Sequence, residues 1–173
     1  AEQSVILAGQ LIPSSKAADR LVTQSANTVF GGAFTARINM NLREDKHWSY
    51  GARSSLTETR GQRPWLLSAP VQTDKTVESI QEIRRELAEF LATRPITADE
   101  VDKIRSRDVR ALSGQYETNA AVSSAIGDIV RFGRPDDYVR TLRARLQAQT
   151  DAGVRQAAAQ AFHPDSLTWV IVG

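Results

Sequence analysis

No cysteine occurs in the chain. That absence excludes disulfide frameworks, thiolate zinc sites and cysteine nucleophiles, while leaving the cellular compartment open. Histidine is almost as scarce, with only His47 and His163. A zinc motif borne on one helix, H-E-x-x-H or its inverse H-x-x-E-H, needs two histidines four residues apart on one face, so neither can form. His47 reads as part of a polar turn after a short helix, and His163 as an exposed residue before the helix-stopping Pro164. No metal is therefore expected in this chain. A charge of one sign is missing too, with 22 Lys and Arg against 20 Asp and Glu and a net charge of +2. Arg84, Arg85, Arg105, Arg107, Arg110, Arg140, Arg143 and Arg145 are interspersed with Glu82, Glu86, Asp102, Asp108 and Asp137. That is the pattern of solvated helix faces rather than a one-sign stripe, and no nucleic-acid partner is expected.

Long apolar runs are also lacking. None approaches the ~20 residues that span a bilayer, so no membrane insertion is expected. The opening Ala1-Glu2-Gln3-Ser4 lacks the basic flank and apolar core of a signal peptide. There is no G-x-S-x-G nucleophile elbow. A Ser-His-Asp triad assembles in space, so spacing alone does not decide it, but the chain offers no complete catalytic set. Gly31-Gly32 lacks the third glycine of a dinucleotide loop and the Lys-Ser/Thr of a P-loop. The expectation there is a helix C-cap at positive φ.

What remains is a chain of 173 residues, 41% apolar and 24% charged, the size and composition of one globular domain spanning residues 1–173. Val5 to Ala8, bounded by Gly9, reads as a buried strand. Pro13-Ser14-Ser15 offers an N-cap for a helix carrying Ala18, Leu21, Val22, Ser25 and Val29, closed by Gly31-Gly32. A short helix follows with Phe34, Ile38 and Leu42 on one stripe and Arg37, Asn41 and Arg43 on its other faces. Trp48 to Thr59 and Trp65 to Thr73, separated by the turn-forming Arg60 to Pro64, predict a β-hairpin.

The pattern then turns helical. Thr76 is placed as the cap of a helix with the stripe Val77, Ile80, Ile83, Leu87 and Leu91. Thr97 and Glu100 form a capping box ahead of Val101, Ile104 and Leu112. A further helix is expected to bury Ala121, Val122, Ala125, Ile126 and Ile129 and to end at Gly133. Pro135-Asp136-Asp137 begins one with Tyr138, Leu142 and Leu146, and Thr150 caps another with Val154, Ala157, Ala158 and Ala161. Ser166 to Val172 closes as a strand. Strands and helices segregate, which predicts an α+β fold: two layers, a mainly antiparallel sheet with helices packed on one face. Strand-like runs near both ends carry the expectation of a domain excised from a longer protein.

The segment from Asn27 to Gly51 is the most specific. It contains Gly31-Gly32, the triplet Ala36-Arg37-Ile38, then Leu42-Arg43-Glu44, and ends on Tyr50-Gly51. In its length and fixed spacings it closely resembles the C-terminal, non-zinc-binding domain of pitrilysin-type (M16) zinc metallopeptidases. The resemblance runs on through Val71 to Thr76, Pro95-Ile96-Thr97 with Glu100, Leu112-Ser113-Gly114 with Glu117-Thr118, Gly133 to Tyr138, and Val170 to Gly173. Two departures stand out. Ala36 replaces a usual serine, and His47 replaces a usual glycine in the turn before the tyrosine.

The resemblance implies a peptidase built as a clam of two similar halves, with the zinc and its inverted motif in the N-terminal half. The C-terminal half supplies an arginine and a tyrosine to substrate across the cleft, and here the pair falls on Arg43 and Tyr50. The implied partners are that catalytic half, or a second M16 subunit, and an extended peptide. Without the resemblance, Arg43 reads as a helix-end cation and Tyr50 as a strand residue with a buried ring. Two functions of different class follow: the substrate-binding half of a zinc endopeptidase, or an inactive scaffold subunit of a larger complex. Bacterial relatives of this type are often exported, which is compatible with a periplasmic location.

Overall fold

A computed structural model describes residues 2–17 and 20–173. Strand β1 (Gln3–Ile12) lies between β3 (Arg63–Gln72) and β4 (Thr168–Val172), and β2 (Arg53–Leu56) pairs with the far side of β3. All pairings are antiparallel. The helices are α1 (Arg20–Asn27), α2 (Arg37–Asn39), α3 (Thr76–Leu91), α4 (Ala98–Ala111), α5 (Asn119–Phe132), α6 (Tyr138–Gln147) and α7 (Asp151–Ala161). The fold is α+β, as the segregation of elements predicts.

Alternation along the strands sets the two faces of the sheet. Ile6, Ala8 and Ile12 of β1 and Trp65, Leu67, Ala69 and Val71 of β3 are buried. They meet Ile83, Leu87 and Phe90 of α3 and Val154, Ala158 and Ala161 of α7 in one core. Phe30 sits at its centre, with ring centroids 5.9 Å from Trp65 and 5.2 Å from Phe90. The opposite face carries Val5, Leu7, Leu11, Leu66, Val170 and Val172, all exposed. Leu7 stands opposite Val170, and Val5 opposite Val172.

Several local expectations are corrected. The first strand does not stop at Gly9, and only every second residue of it is buried. Gly9 instead lies where a Cβ would come 2.8 Å from Leu66 Cδ2. The first hairpin strand is shorter than Trp48–Thr59, because Ser49 makes only an isolated bridge to Val71. Ser15 does not cap α1. Its hydroxyl accepts the amide of Thr59 at 2.9 Å, tying it to the hairpin loop. Ala18, on the expected stripe of that helix, lies outside the described residues.

Gly31-Gly32 is no left-handed cap. Among the described glycines only Gly133 has positive φ, at 62°. A Cβ on Gly31 would meet the backbone nitrogen of Ser54 at 2.7 Å, so this glycine lets the π-helical turn Thr28–Gly32 approach β2. Phe34 precedes α2 rather than joining its buried stripe, and is 63% exposed. Thr76 does not cap α3: a 3-10 turn (Thr73–Lys75) leads in, and the Thr76 hydroxyl donates to the Thr73 carbonyl. Val77, Val122 and Ile126 are exposed, against expectation. The final strand begins at Thr168, after a 3-10 turn (Pro164–Ser166). The capping box of Thr97 and Glu100, the Thr150 cap and the Gly133 terminus are all observed.

Candidate functional site

Arg43 belongs to a π-helical turn (Met40–Asp45) that continues α2. Ile38 and Leu42 anchor this unit, both fully buried, and Arg43, one residue beyond Leu42, turns away from the core. Its guanidinium lies over the Phe34 ring, 4.7 Å from the centroid, and Nε is 3.2 Å from Glu44 Oε1. Both side chains of that ion pair are partly exposed, so the contact orients more than it stabilises.

The chain then reverses. Lys46 N donates to the Asn41 carbonyl, and the amides of Trp48 and Ser49 both donate to the Leu42 carbonyl at 3.0 and 3.2 Å. The reversal places His47 at φ 56°, the left-handed region that glycine enters freely and histidine enters at a cost. His47 Nδ1 lies 3.1 Å from the Arg43 carbonyl. The departure from glycine at this position therefore leaves the turn in the conformation a glycine would adopt.

Tyr50 follows, 84% exposed. Its ring is not buried at a strand start. The backbone on either side is fixed: the Ser49 hydroxyl donates to the Pro70 carbonyl and accepts from the Gly51 amide at 3.0 Å. The Ala52 amide donates to Asn39 Oδ1 at 3.0 Å. Arg43 and Tyr50 both line an open cavity of about 550 Å³ with Gly32, Phe34, Asn39 and Pro70. The same two residues line a neighbouring concavity of about 300 Å³ with His47 and Gln72. The geometry thus brings both candidate residues to one open surface. Phe34, Asn39 and Ser49 went unrecognised at the sequence level. The signal for Asn39 was a polar residue one position from Ile38 on a short buried unit, where an amide must find partners.

A larger cavity, about 780 Å³, lies elsewhere, lined by Arg37, Arg94, Arg155, Glu86 and Glu100. Its arginines are committed to structure. Arg37 grips both carboxylate oxygens of Glu100 and the carbonyls of Arg94 and Pro95. Burial raises the proton affinity of Glu100, but its bonds from Arg37 and Thr97 prevail and hold the carboxyl below its ordinary range. Arg155 holds the Ile96 carbonyl and Asp151. Among the described residues, no three His, Asp or Glu side chains converge as metal donors, and no helix is long and apolar enough to cross a membrane.

Residues 1–107 match the family described as Peptidase M16 inactive domain. No curated protein matches the sequence. The fold is shared with the peptidase M16 inactive domain from Pseudomonas fluorescens at 20% identity and a TM-score of 0.90, over 99% of this chain and 41% of that one. It is also shared with the inactive domain of a protein described as a zinc protease from Bordetella parapertussis, at 17% identity and a TM-score of 0.82, over 98% and 92% of the two chains. A chain of complex III2 from Candida albicans aligns at 13% identity and a TM-score of 0.79, over 100% of this chain and 43% of that one. The present chain thus spans about two fifths of the Pseudomonas and Candida chains.

Proposed function

The chain belongs to the Peptidase M16 inactive domain family, and from that premise we propose that it is the substrate-binding half of a zinc endopeptidase, presenting Arg43 and Tyr50 to an extended peptide. As an M16 inactive domain it is the non-catalytic part of such a peptidase. The observation that carries the finer reading is the exposure of Tyr50, 84%, on backbone held at both neighbouring residues. A tyrosine with a structural role buries its ring, whereas this one holds its phenol to solvent on a surface that Arg43 also lines.

The chemistry is that of oxyanion stabilisation. When a peptide carbonyl is attacked, negative charge develops on its oxygen. The Tyr50 hydroxyl and the Arg43 guanidinium are both donors, and preorganised donors lower that barrier without reorganising during the reaction. The zinc of the catalytic half, which this chain's own side chains do not supply, would polarise the carbonyl as a Lewis acid. Residues 1–173 act here as one domain of a longer two-half protein or as one subunit of a pair. The apolar outer face of the sheet supports such a partner, since a contiguous patch of this kind marks an interaction surface.

The likeness to the Candida complex III2 chain supports a second reading, an assembly subunit without peptidase function. Zinc analysis and peptide hydrolysis separate the two. The isolated chain is expected to hold no stoichiometric zinc and to cleave nothing, and its complex with the zinc-bearing half to cleave peptides in a chelator-sensitive way. Inactivity of that complex, with the zinc site of the other half intact, would favour the scaffold.

A further inference from the structure

Asn39 is 4% exposed, and both ends of its amide are hydrogen-bonded. Its Nδ2 donates to the Phe34 carbonyl at 2.7 Å, and its Oδ1 accepts the Ala52 amide at 3.0 Å. The partners fix the orientation of the amide, since a carbonyl can only accept and a backbone N–H can only donate. Phe34 is the ring on which Arg43 stacks, and Ala52 lies two residues beyond Tyr50. One side chain therefore bridges the two walls of the cavity that Arg43 and Tyr50 line. On the other side of Tyr50, Ser49 Oγ joins the Pro70 carbonyl of β3 to the Gly51 amide.

We propose that Asn39 and Ser49 are positioning residues that clamp the backbone around Tyr50, so that its exposed phenol meets the substrate at a fixed distance from Arg43. The proposal rests on the reading of Arg43 and Tyr50 as substrate-facing donors. An exposed tyrosine on a loose loop would spend most of its time away from the productive geometry. Displacements of about 1 Å can cost 100-fold in rate. The clamp explains why a buried amide sits between Ile38 and Leu42, where an apolar side chain would otherwise pack. It also adds side-chain anchors to a segment between His47 and β2 where strand pairing is reduced to the isolated Ser49–Val71 bridge.

The test uses the complete two-half peptidase and the present chain in parallel. Asn39→Ala in the complete enzyme should lower kcat at least 10-fold while KM changes less than 3-fold. In a Tyr50→Phe background the same change should cost less than 2-fold more, because the clamp acts only through the phenol. In the present chain, amide hydrogen exchange at Ala52 should accelerate at least 10-fold. Ser49→Ala, which removes the more accessible jaw, should give the same kcat and KM pattern, and stands in if Asn39→Ala does not fold. Fully additive losses with Tyr50→Phe, or unchanged exchange at Ala52, would overturn the proposal. If Tyr50→Phe alone changes nothing, the reading of the site fails first, and exchange at Ala52 still decides whether the clamp exists.

Discussion

The guanidinium of Arg43 lies over Phe34, 4.7 Å from the ring centroid, although Phe34 is 63% exposed. An aromatic ring left in solvent that stacks on a cation restricts where the cation can point. Such a contact contributes about 0.5–1 kcal/mol at an exposed site. Phe34→Ala should therefore lower the melting temperature of the domain by only about 1–4 °C, since little buried surface is lost. In the complete peptidase it should raise KM about 2- to 5-fold, as Arg43 spends less time toward the substrate. Steady-state kinetics with a fluorogenic peptide, beside a thermal melt, checks both.

Glu58, in the hairpin loop, pairs with three arginines, two of them outside the hairpin. It pairs with Arg20 at 2.6 Å, Arg63 at 3.3 Å and Arg134 at 3.2 Å. Burial favours the protonated acid, but the bond and charge of Arg20, the Ser15 hydroxyl and the Arg63 charge outweigh it, leaving the pKa below the ordinary 4.5. A carboxyl whose folded pKa is depressed adds stability above its unfolded pKa and loses it as the pH falls through the folded value. Glu58→Gln should cost about 1–3 kcal/mol at pH 7, because the buried Arg63 and the partly buried Arg20 and Arg134 lose the Glu58 carboxylate. The gap between variant and parent should shrink below about pH 4.5. Urea unfolding at pH 7 and at pH 4 measures it.

His47 occupies a left-handed conformation at φ 56°. His47→Gly should stabilise the domain or leave it unchanged, by at most about 1 kcal/mol, because the strain is relieved at the expense of a more flexible unfolded chain. His47→Val should destabilise it by about 1–2 kcal/mol, since a branched Cβ crowds the carbonyl most severely there. Denaturant midpoints of the three proteins order them.

These residues also mark what a sequence makes legible. The Ile83–Leu87 centre of the α3 stripe, the stripe of α7, the Thr97–Glu100 box and the Gly133 terminus are local patterns, set by helical periodicity and by backbone groups within a few residues. Features fixed by distant partners were not legible. Gly31 is small because Ser54 approaches it, and the buried Arg63 donates to the Pro13 carbonyl, 50 residues away. Val122 and Ile126 look like core positions by spacing, yet the described residues cover them only in part and they are exposed. At the site, the resemblance singled out Arg43 and Tyr50, and the geometry brings them to one surface. The exposure of the Tyr50 ring and the roles of Phe34, Asn39 and Ser49 depend on contacts across the fold that periodicity does not encode.

The most direct test of the central claim is the turnover of a Tyr50→Phe variant in the complete two-half peptidase. The ring is exposed and the substitution removes a single hydroxyl, so the domain should melt at an unchanged temperature. If that hydroxyl donates to the oxyanion, its loss should cost about 3 kcal/mol of barrier, a fall of roughly 100-fold in kcat, with KM changed less than 3-fold. An unchanged kcat in the variant, or a loss of activity that tracks a lowered melting temperature, would contradict the account.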